Sequence, residues 1–490
     1  MAARVTAFWT LSRVADALAG VVPWEGTAPR MGATAAVGDG YPRGDTPLAR
    51  VWTDTRTIGR GDLFVALKGE HFDGHDYLDQ AVEAGAGAVV VTDARLAAFM
   101  GVPVFEVTDT TRALGQLGRY RRMVWGRPVV AVGGSNGKTS TKELIRAALS
   151  ARLEVHATQG NLNNQIGVPM TLLALGDAAD IAVIELGTNQ PGEIAMLRDI
   201  VRPDIAVITA IEEEHLEGFG DLAGVLAEEA ALLDGVALAV VPAHETALVA
   251  EARQRAKQVV TCGIADGDLS ASRASLEADG SGVLTLDGSD LPVPLRGLHN
   301  LRNAMLALAV ARACGISIGD AGRGIAALDR ARMPGMRSAV EPLGEALLIN
   351  DAYNANPGSA RAALALLAAV AGDRPRVVIL GTMRELGDQS ARAHRDVARD
   401  AVASGAALVA GIGEFAAALR EVAVGDARVI TGVDVDDLWP VLQRRLPPNS
   451  AILLKASRGV KLERIVPHLT LWATGGTIPA SATTSPSKTD

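Results

Sequence analysis

The stretch VVAVGGSNGKTSTKELIRAALS, residues 129–150, restricts the fold more than any other part of the sequence. Its apolar start predicts a buried strand, its glycines a tight loop, and TKELIRAALS a helix. Glycines let backbone N–H groups converge on phosphate oxygens at a helix N-terminus, whose dipole favours anions. The order strand, loop and helix therefore predicts a phosphate-binding loop at the edge of an α/β sheet.

The loop departs from the common spacing GxxxxGK[ST], because Val132 stands where the first glycine is expected. The residues predicted to bind nucleotide follow this position and are Gly134, Ser135, Asn136, Gly137, Lys138, Thr139 and Ser140. Lys138 is expected to reach the β and γ phosphates of ATP, and the Thr139 hydroxyl to bind Mg²⁺, with Ser140 as a second candidate hydroxyl. The alternative is a glycine-rich turn in which the lysine stands by chance.

Short apolar runs alternate with helical patterns over most of the chain. The predicted strands are GDLFVAL (61–67), AVVVTD (88–93), IAVIELG (181–187), IAVITAI (205–211), ALAVVPA (237–243), ALLIND (346–351), RVVILG (376–381), ALVAGIG (407–413), RVITG (428–432) and SAILLKAS (450–457). Fully apolar strands of this length fit parallel sheets that are covered on both faces. The Gly/Asp-rich part 264–290 predicts hairpins or loops, and the fold class is α/β.

A chain of 490 residues is too long for one hydrophobic core, and about 150 residues per domain suggests about three domains. We expect a small α/β domain at 1–125, a central P-loop ATPase-like parallel-sheet domain at 126–333 and a C-terminal Rossmann-like α/β domain at 334–474. The Ser/Thr/Pro-rich segment 475–490 is predicted to be a disordered tail.

Composition restricts the partners and the compartment. The net charge of −9 and the absence of a basic block argue against nucleic acid and against an anionic membrane surface. Cys262 and Cys314 are too few for a disulfide framework, so a reducing cytoplasm is expected. The sequence has neither a signal peptide pattern nor an apolar stretch of about 18 residues.

Further motifs follow the loop in a fixed order. They are TQGNLNNQIGVPMTLL (158–173), IELGTNQPGEI (184–194), HLEGFGDL (215–222), GLHNLRNAMLALAVA (297–311), NDAYNANPGSARAAL (350–364), GTMRELGDQSARAH (381–394) and LLKASRGVKLERI (453–465). Together with GSNGKTSTKE they resemble the Mur ligases, the ATP-dependent amide-forming enzymes of peptidoglycan precursor synthesis. The segment 54–86 resembles the uridine-nucleotide-binding domain of that family.

GNLNNQIG, DAYNANP and GTMRELG together resemble the family members that join D-Ala-D-Ala to UDP-N-acetylmuramoyl-tripeptide. That resemblance implies transfer of the γ phosphoryl group of ATP to the substrate carboxylate. The dipeptide amine then attacks the acyl phosphate and releases phosphate. The alternatives are another Mur ligase, a folylpolyglutamate synthase or a nucleotide-gated ATPase switch. We expect a monomer.

The resemblance also implies roles for residues of the central domain. Glu185, at the end of an apolar strand, is expected to bind Mg²⁺ between the β and γ phosphates, although strand-end glutamates are often helix caps or ion-pair partners. His215 is the candidate ligand of a second metal, or else a structural histidine. Asn163 and Asn164 are expected to orient the substrate, or else to form a turn.

Nucleotide contacts are implied in two further segments. Asn303, with Asn300 as a lesser candidate, is expected to contact adenine, although Asn300 could instead cap a helix. In the third domain, Arg337 is expected to reach the γ phosphate, while Asp351 and Asn354 hold ribose and adenine. The nucleotide would then be enclosed, and water excluded, when the third domain closes on the second.

Contacts with the other substrates are implied at the two ends of the chain. Lys455 and Arg458 are candidates for the carboxylates of the acceptor peptides, although LLKAS could simply end a strand. Asp54, Thr55 and Arg56 are expected to contact the uridine diphosphate. The alternative is a surface ion pair between Asp54 and Arg56.

One position departs from the family. Many Mur ligases carry a lysine shortly after the HLEGFG-type motif, where carbamylation makes it an anion for the second Mg²⁺. Residues 215–235 contain no lysine, and the corresponding place falls at Glu229. Arginine cannot replace a carbamylated lysine, because its guanidinium stays protonated. We therefore expect Glu229, or its neighbour Glu228, to supply the negative charge, the alternative being a solvated helix residue.

Overall fold

The computed structural model of the protein describes residues 7–20, 44–97, 100–329, 336 and 339–475. The chain divides into two compact units. One comprises the residues up to Val132 together with Leu153–Thr188 and Gly192–Ala206, and the other comprises Gly133–Arg152, Asn189–Pro191 and Val207–Asp490. The three-domain division of the sequence stays a prediction, and its expected tail lies, apart from Gly475, outside the described residues.

The first part of the chain forms a small parallel sheet with the order β3-β4-β5-β6 and a separate antiparallel pair β1-β2. Its elements are β1 Trp9–Thr10, α1 Leu11–Leu18, β2 Pro47–Leu48, β3 Val51–Trp52, β4 Leu63–Val65, α2 Leu78–Glu83, β5 Ala88–Val91, β6 Val104–Glu106 and α3 Thr110–Trp125. Along β5, Val90 packs into one apolar cluster while Val89 and Val91 pack into another. The strand is apolar throughout because both faces of its sheet are covered.

The central part forms a seven-stranded sheet with the order β13-β12-β11-β10-β7-β9-β8. Its elements are β7 Val129–Gly133, α4 Lys138–Leu149, β8 Val155–Ala157, α5 Gly167–Leu173, β9 Ile181–Glu185, α6 Glu193–Val201, β10 Ile205–Ile208, α7 Leu216–Phe219, α8 Leu222–Ala230, β11 Leu238–Pro242, α9 Thr246–Arg255, β12 Gln258–Ile264 and β13 Leu269–Ala271. All residues of β7 and β9 are buried, and the two strands pair in parallel. Consecutive apolar residues indicate such strands, as predicted.

The Gly/Asp-rich segment forms hairpins, as predicted. The strands β14 Arg273–Leu276, β15 Ser281–Leu286 and β16 Ser289–Arg296 make an antiparallel three-stranded sheet. The helices α10 Leu298–Ala313 and α11 Ile318–Ala326 follow, and both pack against α4. Most residues of α10 are buried, because the helix is enclosed on several sides rather than lying on the surface.

The third part forms a six-stranded sheet with the order β17-β18-β22-β19-β20-β21. Its elements are β17 Ala339–Leu343, β18 Ala346–Asp351, α12 Pro357–Val370, β19 Arg376–Leu380, α13 Ser390–Ala403, β20 Leu408–Ile412, α14 Glu414–Val422, β21 Val429–Gly432, α15 Val435–Leu442, β22 Ala451–Lys455 and α16 Val466–Thr474. β17 pairs with β18 in antiparallel fashion, while β22 pairs in parallel with both β18 and β19. The predicted α/β fold class is confirmed. Within the described ranges, none of the helices is long and apolar enough to cross a membrane.

Candidate active site

The phosphate loop has the predicted setting between a strand and a helix. β7 ends at Gly133, and α4 begins at Lys138. Gly134 and Gly137 adopt φ values of +112° and +84°, which side chains other than glycine rarely tolerate. A Cβ atom on Gly134 would lie 2.7 Å from the backbone nitrogen of Thr209. Glycine is therefore required at position 134 for two reasons: the backbone angle is positive, and Thr209, which follows β10, leaves no room for a side chain.

The segment after β10, residues 209–212, holds the phosphate loop through hydrogen bonds. The Thr209 hydroxyl donates to the carbonyls of Gly133, at 3.2 Å, and of Asn136. The backbone N–H of Ser135 donates to the Ala210 carbonyl at 2.9 Å, and the Ser135 hydroxyl accepts from the N–H of Glu212 at 2.9 Å. These bonds fix the loop, so the conformation that can receive a phosphate exists before any ligand binds.

Lys138 places its ammonium group inside the loop. Its Nζ atom donates to the Gly134 carbonyl at 2.6 Å and to the Ser135 carbonyl at 3.3 Å, and lies 3.5 Å from Oε1 of Glu214. The Glu214 side chain is 5% exposed. Burial raises the pKa of Glu214, while Lys138 and His215 act in the opposite direction. Glu214 thus holds the lysine at the loop, a role that the sequence did not indicate.

Glu229 lies under the same loop. Its side chain is fully buried, and Oε2 accepts a 2.7 Å hydrogen bond from the backbone N–H of Gly134. The other oxygen, Oε1, is buried with no hydrogen-bond partner among the residues that the structure describes. Burial raises the pKa of Glu229 to about 7, although Lys138 opposes this shift. The alternative of a solvated helix residue is therefore wrong, whereas a role in metal binding stays a prediction.

His215 occupies a strained position directly before α7. Its φ angle is +48°, in the left-handed region, and its Nδ1 atom contacts the carboxylate of Glu385. Burial lowers the pKa of His215, but Glu385 and Glu214 outweigh burial, so that the net shift is upward. Neither glutamate was among the predicted site residues, although Glu214 adjoins His215 in the sequence and Glu385 belongs to the motif GTMRELG.

The side chains of Glu185 and Asn163 contact each other, while their expected roles toward Mg²⁺ and substrate stay predictions. Glu185 ends β9, is almost fully buried, and accepts a hydrogen bond from Nδ2 of Asn163 at 2.9 Å. Asn164 instead accepts from the backbone N–H groups of Ile166 and Gly167, at 3.2 and 2.9 Å. It therefore forms the turn that was considered as its alternative.

One asparagine of α10, Asn303, approaches the phosphate loop, and a second, Asn300, contacts Asn303. Asn303 donates to Oδ1 of Asn300 at 3.1 Å, and a Cβ atom on Gly137 would lie 2.9 Å from Nδ2 of Asn303. Asn300 is not a helix cap, because α10 already begins at Leu298 and Asn300 instead donates to the Arg296 carbonyl at 2.8 Å. The expected contact of Asn303 with adenine stays a prediction.

A reciprocal amide pair connects the phosphate loop to α12. Asn136 donates to Oδ1 of Asn356 at 3.0 Å, and Asn356 donates back to Oδ1 of Asn136 at 3.1 Å. Asn136 also donates to Oε2 of Glu212 at 2.8 Å. Asn356 is 2% exposed and caps α12 by accepting from the N–H of Ser359. The motif DAYNANP contains Asn356, but nothing in the motif indicated this contact.

Lys455 and Asp351 form a buried ion pair at the ends of adjacent strands. Their Nζ and Oδ2 atoms are 2.9 Å apart, and the side chains are 4% and 13% exposed. Lys455 also donates to the carbonyl of Asn354. Lys455, which was expected to bind an acceptor carboxylate, therefore pairs with Asp351 of the same chain. It is also the last residue of β22, in agreement with the alternative that LLKAS simply ends a strand. Arg458 is exposed and lies 6.0 Å from the ring of Tyr353. Arg337 lies outside the described residues.

Asp54 and Arg56 form the surface ion pair that was considered as their alternative. Arg56 donates to both carboxylate oxygens, at 3.0 and 2.9 Å, and lowers the pKa of Asp54. The Arg56 side chain is 79% exposed. Thr55 donates to Oε1 of Gln80 at 3.1 Å. A contact of these three residues with a nucleotide stays a prediction.

The predicted metal ligand Thr139 and its candidate neighbour Ser140 lie at the start of α4. Thr139 is buried in the first turn of α4, and Ser140 follows it half-buried. Within the part of the chain that the structure describes, no group of three or more His, Cys, Asp or Glu side chains could hold a metal ion. The buried Oε1 of Glu229 is nevertheless an oxygen of the kind that Mg²⁺ prefers.

Three family descriptions match the chain in sequence order. They are the Mur ligase family catalytic domain over residues 48–122, the Mur ligase middle domain over 132–311, and the Mur ligase glutamate ligase domain over 336–458.

Two curated relatives carry the name UDP-N-acetylmuramoyl-tripeptide--D-alanyl-D-alanine ligase. The protein from Bacillus subtilis is 35% identical over 431 residues, which is 86% of this chain and 93% of the relative. The protein from Escherichia coli is 36% identical over 432 residues, 86% of this chain and 94% of the relative.

Solved structures agree with the sequence relatives. MurF from Acinetobacter baumannii has a TM-score of 0.82 at 31% identity, covering 94% of this chain and 98% of its own. MurF from Thermotoga maritima in complex with ADP has a TM-score of 0.74 at 26% identity, covering 87% of this chain and 98% of its own. The resemblance stated from the motifs is confirmed, and the chain belongs to the Mur ligase family.

Proposed function

We propose that this protein is an ATP-dependent ligase that joins D-Ala-D-Ala to UDP-N-acetylmuramoyl-tripeptide in peptidoglycan precursor synthesis. Relatives with that name are 35% and 36% identical over 86% of the chain. The observation that carries the proposal is the phosphate loop, in which Lys138 lies over the backbone carbonyls of Gly134 and Ser135. Such a loop serves a reaction that begins on a triphosphate.

Joining a carboxylate to an amine is uphill in water, so the carboxylate first needs a leaving group. The carboxylate oxygen attacks the γ phosphorus of ATP. The bond between that phosphorus and the β–γ bridging oxygen breaks, and ADP leaves. The amine of D-Ala-D-Ala then attacks the acyl carbon, the amide bond forms, and phosphate leaves as the amine loses a proton. Lys138 neutralises charge while two anions are held against each other.

Thr139 and Glu185 would hold one Mg²⁺, and His215 and Glu229 a second. Among the described residues, Glu229 offers a buried oxygen without a hydrogen-bond partner. When bound, Mg²⁺ neutralises phosphate charge and acts as a Lewis acid on the phosphoryl oxygens. The loop residues Gly134 to Ser140 would bind the phosphates through backbone N–H groups, and Thr139 lies buried in the first turn of α4.

The remaining predicted contacts complete the proposal. Nucleotide would be bound by Asn300, Asn303, Arg337, Asp351 and Asn354, and the uridine diphosphate by Asp54, Thr55 and Arg56. Asn163 and Asn164 would orient the substrate. Lys455 and Arg458 would bind the carboxylates of the acceptor peptides. The internal ion pair of Lys455 weakens its own assignment, whereas Arg458 is exposed and accessible.

We also propose a cytoplasmic monomer with three domains. Support for a reducing compartment comes from the two cysteines, since Cys262 is buried and both are free thiols. The amide pair between Asn136 and Asn356 supports a nucleotide enclosed between the phosphate loop and the part of the chain that begins with β17.

The direct test measures phosphate release from ATP with UDP-N-acetylmuramoyl-tripeptide and one acceptor at a time. D-Ala-D-Ala should sustain turnover and yield the pentapeptide, while D-Glu and L-Lys should not. Sustained release without any acceptor would favour a nucleotide-gated ATPase and overturn the proposal. Turnover with D-Glu or L-Lys would indicate another ligase of the same architecture.

A lysine variant tests the observation on which the proposal rests. Lys138→Ala should lower kcat by about 10²- to 10³-fold, the usual effect of removing one donor to a developing charge. The matched control is Lys257→Ala, which removes an exposed lysine just before β12. Full pentapeptide synthesis by Lys138→Ala would contradict the proposed function.

A further inference from the structure

Two residues other than glycine meet in the left-handed backbone region. His215 has φ +48°, Glu385 has φ +64°, and the carboxylate of Glu385 contacts Nδ1 of His215. Each such conformation costs on the order of 1–3 kcal/mol and persists only where neighbouring structure enforces it. Because both residues of this contact adopt an unfavourable backbone conformation, we infer that the surrounding structure maintains the contact.

The loop that carries Glu385 is held at several points. The N–H of Met383 donates to Nε2 of His394 at 2.9 Å, and the N–H of Arg384 donates to the Ser457 hydroxyl at 3.0 Å. The Glu385 carbonyl itself accepts from the N–H of Glu217 at 3.2 Å. The backbone is therefore fixed at Glu385 and at the two residues before it, and the Glu385 carboxylate, which is 54% exposed, contacts the histidine.

His215 in turn adjoins the lysine of the phosphate loop. Its Nε2 atom lies 4.0 Å from Oε2 of Glu214, whose Oε1 atom lies 3.5 Å from Nζ of Lys138. Glu385, His215, Glu214 and Lys138 thus form a line of alternating acidic and basic side chains that begins in the loop after β19 and ends in the phosphate loop.

We propose that Glu385 is a positioning residue that fixes the ring of His215 with its proton on Nδ1, the nitrogen that contacts the carboxylate. A carboxylate has no proton to give, so the nitrogen that faces it must carry one. A partner of this kind sets both the tautomer and the orientation of a working histidine. The kinetic consequence rests on the proposed function, whereas the state of the ring does not.

The state of the ring can be read by ¹⁵N NMR of histidine-labelled protein without metal or nucleotide, at a pH where the ring is neutral. His215→Gln identifies the signals among those of the eight histidines. The wild type should show a protonated Nδ1, and Glu385→Ala should move Nδ1 toward the unprotonated position and Nε2 the opposite way.

The matched control is Arg392→Ala. Arg392 forms an ion pair with Glu213, and this pair joins the same two segments of the chain as the contact between Glu385 and His215. Its loss tests whether any weakened contact between these segments disturbs the ring. The control should leave both ¹⁵N shifts in place, and an equal shift in Arg392→Ala, or none in Glu385→Ala, would overturn the proposal.

Kinetics supply the second readout. Glu385→Ala should lower kcat about 10- to 100-fold, as is typical when the partner of a working histidine is removed, and it should have no further effect in a His215→Ala background. Full additivity of the two substitutions would refute a role that acts through the histidine. A wild type that needs no D-Ala-D-Ala would instead refute the proposed function, while the ¹⁵N shifts still decide the role of Glu385.

Discussion

Replacing Glu229 by glutamine should stabilise the ligand-free protein, and increasingly so as the pH rises. Glu229 is fully buried under the phosphate loop, and one of its oxygens has no hydrogen-bond partner among the described residues. Glutamine has nearly the same shape, and its carbonyl oxygen can still accept the hydrogen bond from Gly134. The substitution therefore removes the charge while it keeps the shape of the side chain.

The magnitude follows from the pKa of Glu229, which burial raises from 4.5 to about 7. The folded protein binds this proton more tightly than the unfolded chain, so the associated stability is complete below about pH 4.5 and is lost as the pH rises through 7. A shift of about 2.5 units at about 1.4 kcal/mol per unit amounts to roughly 3 kcal/mol. The advantage of Glu229→Gln should therefore grow from about 1 kcal/mol at pH 5 to about 3 kcal/mol at pH 8.

The assay is urea denaturation of both proteins from pH 5 to 8, with a chelator present and without nucleotide. Glu228→Gln is the matched control, because it removes the neighbouring carboxylate of the same helix. A pH-independent difference between Glu229→Gln and the wild type, or an equal gain in the control, would refute a buried charge as the cause. Loss of ligase activity together with the gain in stability would fit the proposed role of the carboxylate toward Mg²⁺.

Three further substitutions test the packing of the site. Gly134→Ala should abolish ATP binding, measured by calorimetry, because its Cβ atom would meet the backbone of Thr209 at 2.7 Å; wild-type affinity would contradict this. Lys455→Met should lower the free energy of unfolding by about 3–5 kcal/mol, since it removes one charge of a buried ion pair and keeps the other. Urea denaturation should show the loss partly restored when Asp351→Asn is added, and no restoration would speak against the pair. Asn356→Ala should cost about 1–2 kcal/mol and weaken ATP binding, because the side chain both caps α12 and joins the phosphate loop; unchanged denaturation curves would exclude this.

Local sequence signals predicted most strands and the phosphate loop. The run IAVI forms the first four residues of β9 because a strand that is buried on both faces is apolar along most of its length, and the buried Glu185 ends it. The loop was predictable because its shape depends on neighbouring residues in the sequence. Gly134 and Gly137 permit its positive φ angles, and Lys138 donates to the Gly134 carbonyl four residues earlier. The boundary of α10 was less certain: the helix begins at Leu298, two residues before the asparagine that was considered as its cap.

Tertiary contacts were not predictable in the same way. Two adjacent glutamates stand in the last turn of α8, and only the packing of that helix against the phosphate loop places Glu229 next to Gly134. The partner of Lys455 depends on the register of β22 with β18, in which Asp351 and Lys455 lie opposite each other. The position of Glu385 required a left-handed backbone at a residue that rarely adopts one.

The strand order of the last sheet also governs when it can form. β22 lies between β18 and β19, so these two earlier strands are joined only through a segment made about a hundred residues after the first of them. During synthesis, the middle of the sheet stays incomplete until residue 455 has emerged, and both neighbours keep open hydrogen-bonding edges until then. A chain truncated before β22 would therefore lose the centre of its sheet and the lysine that pairs with Asp351, and it would keep two exposed edges prone to aggregation.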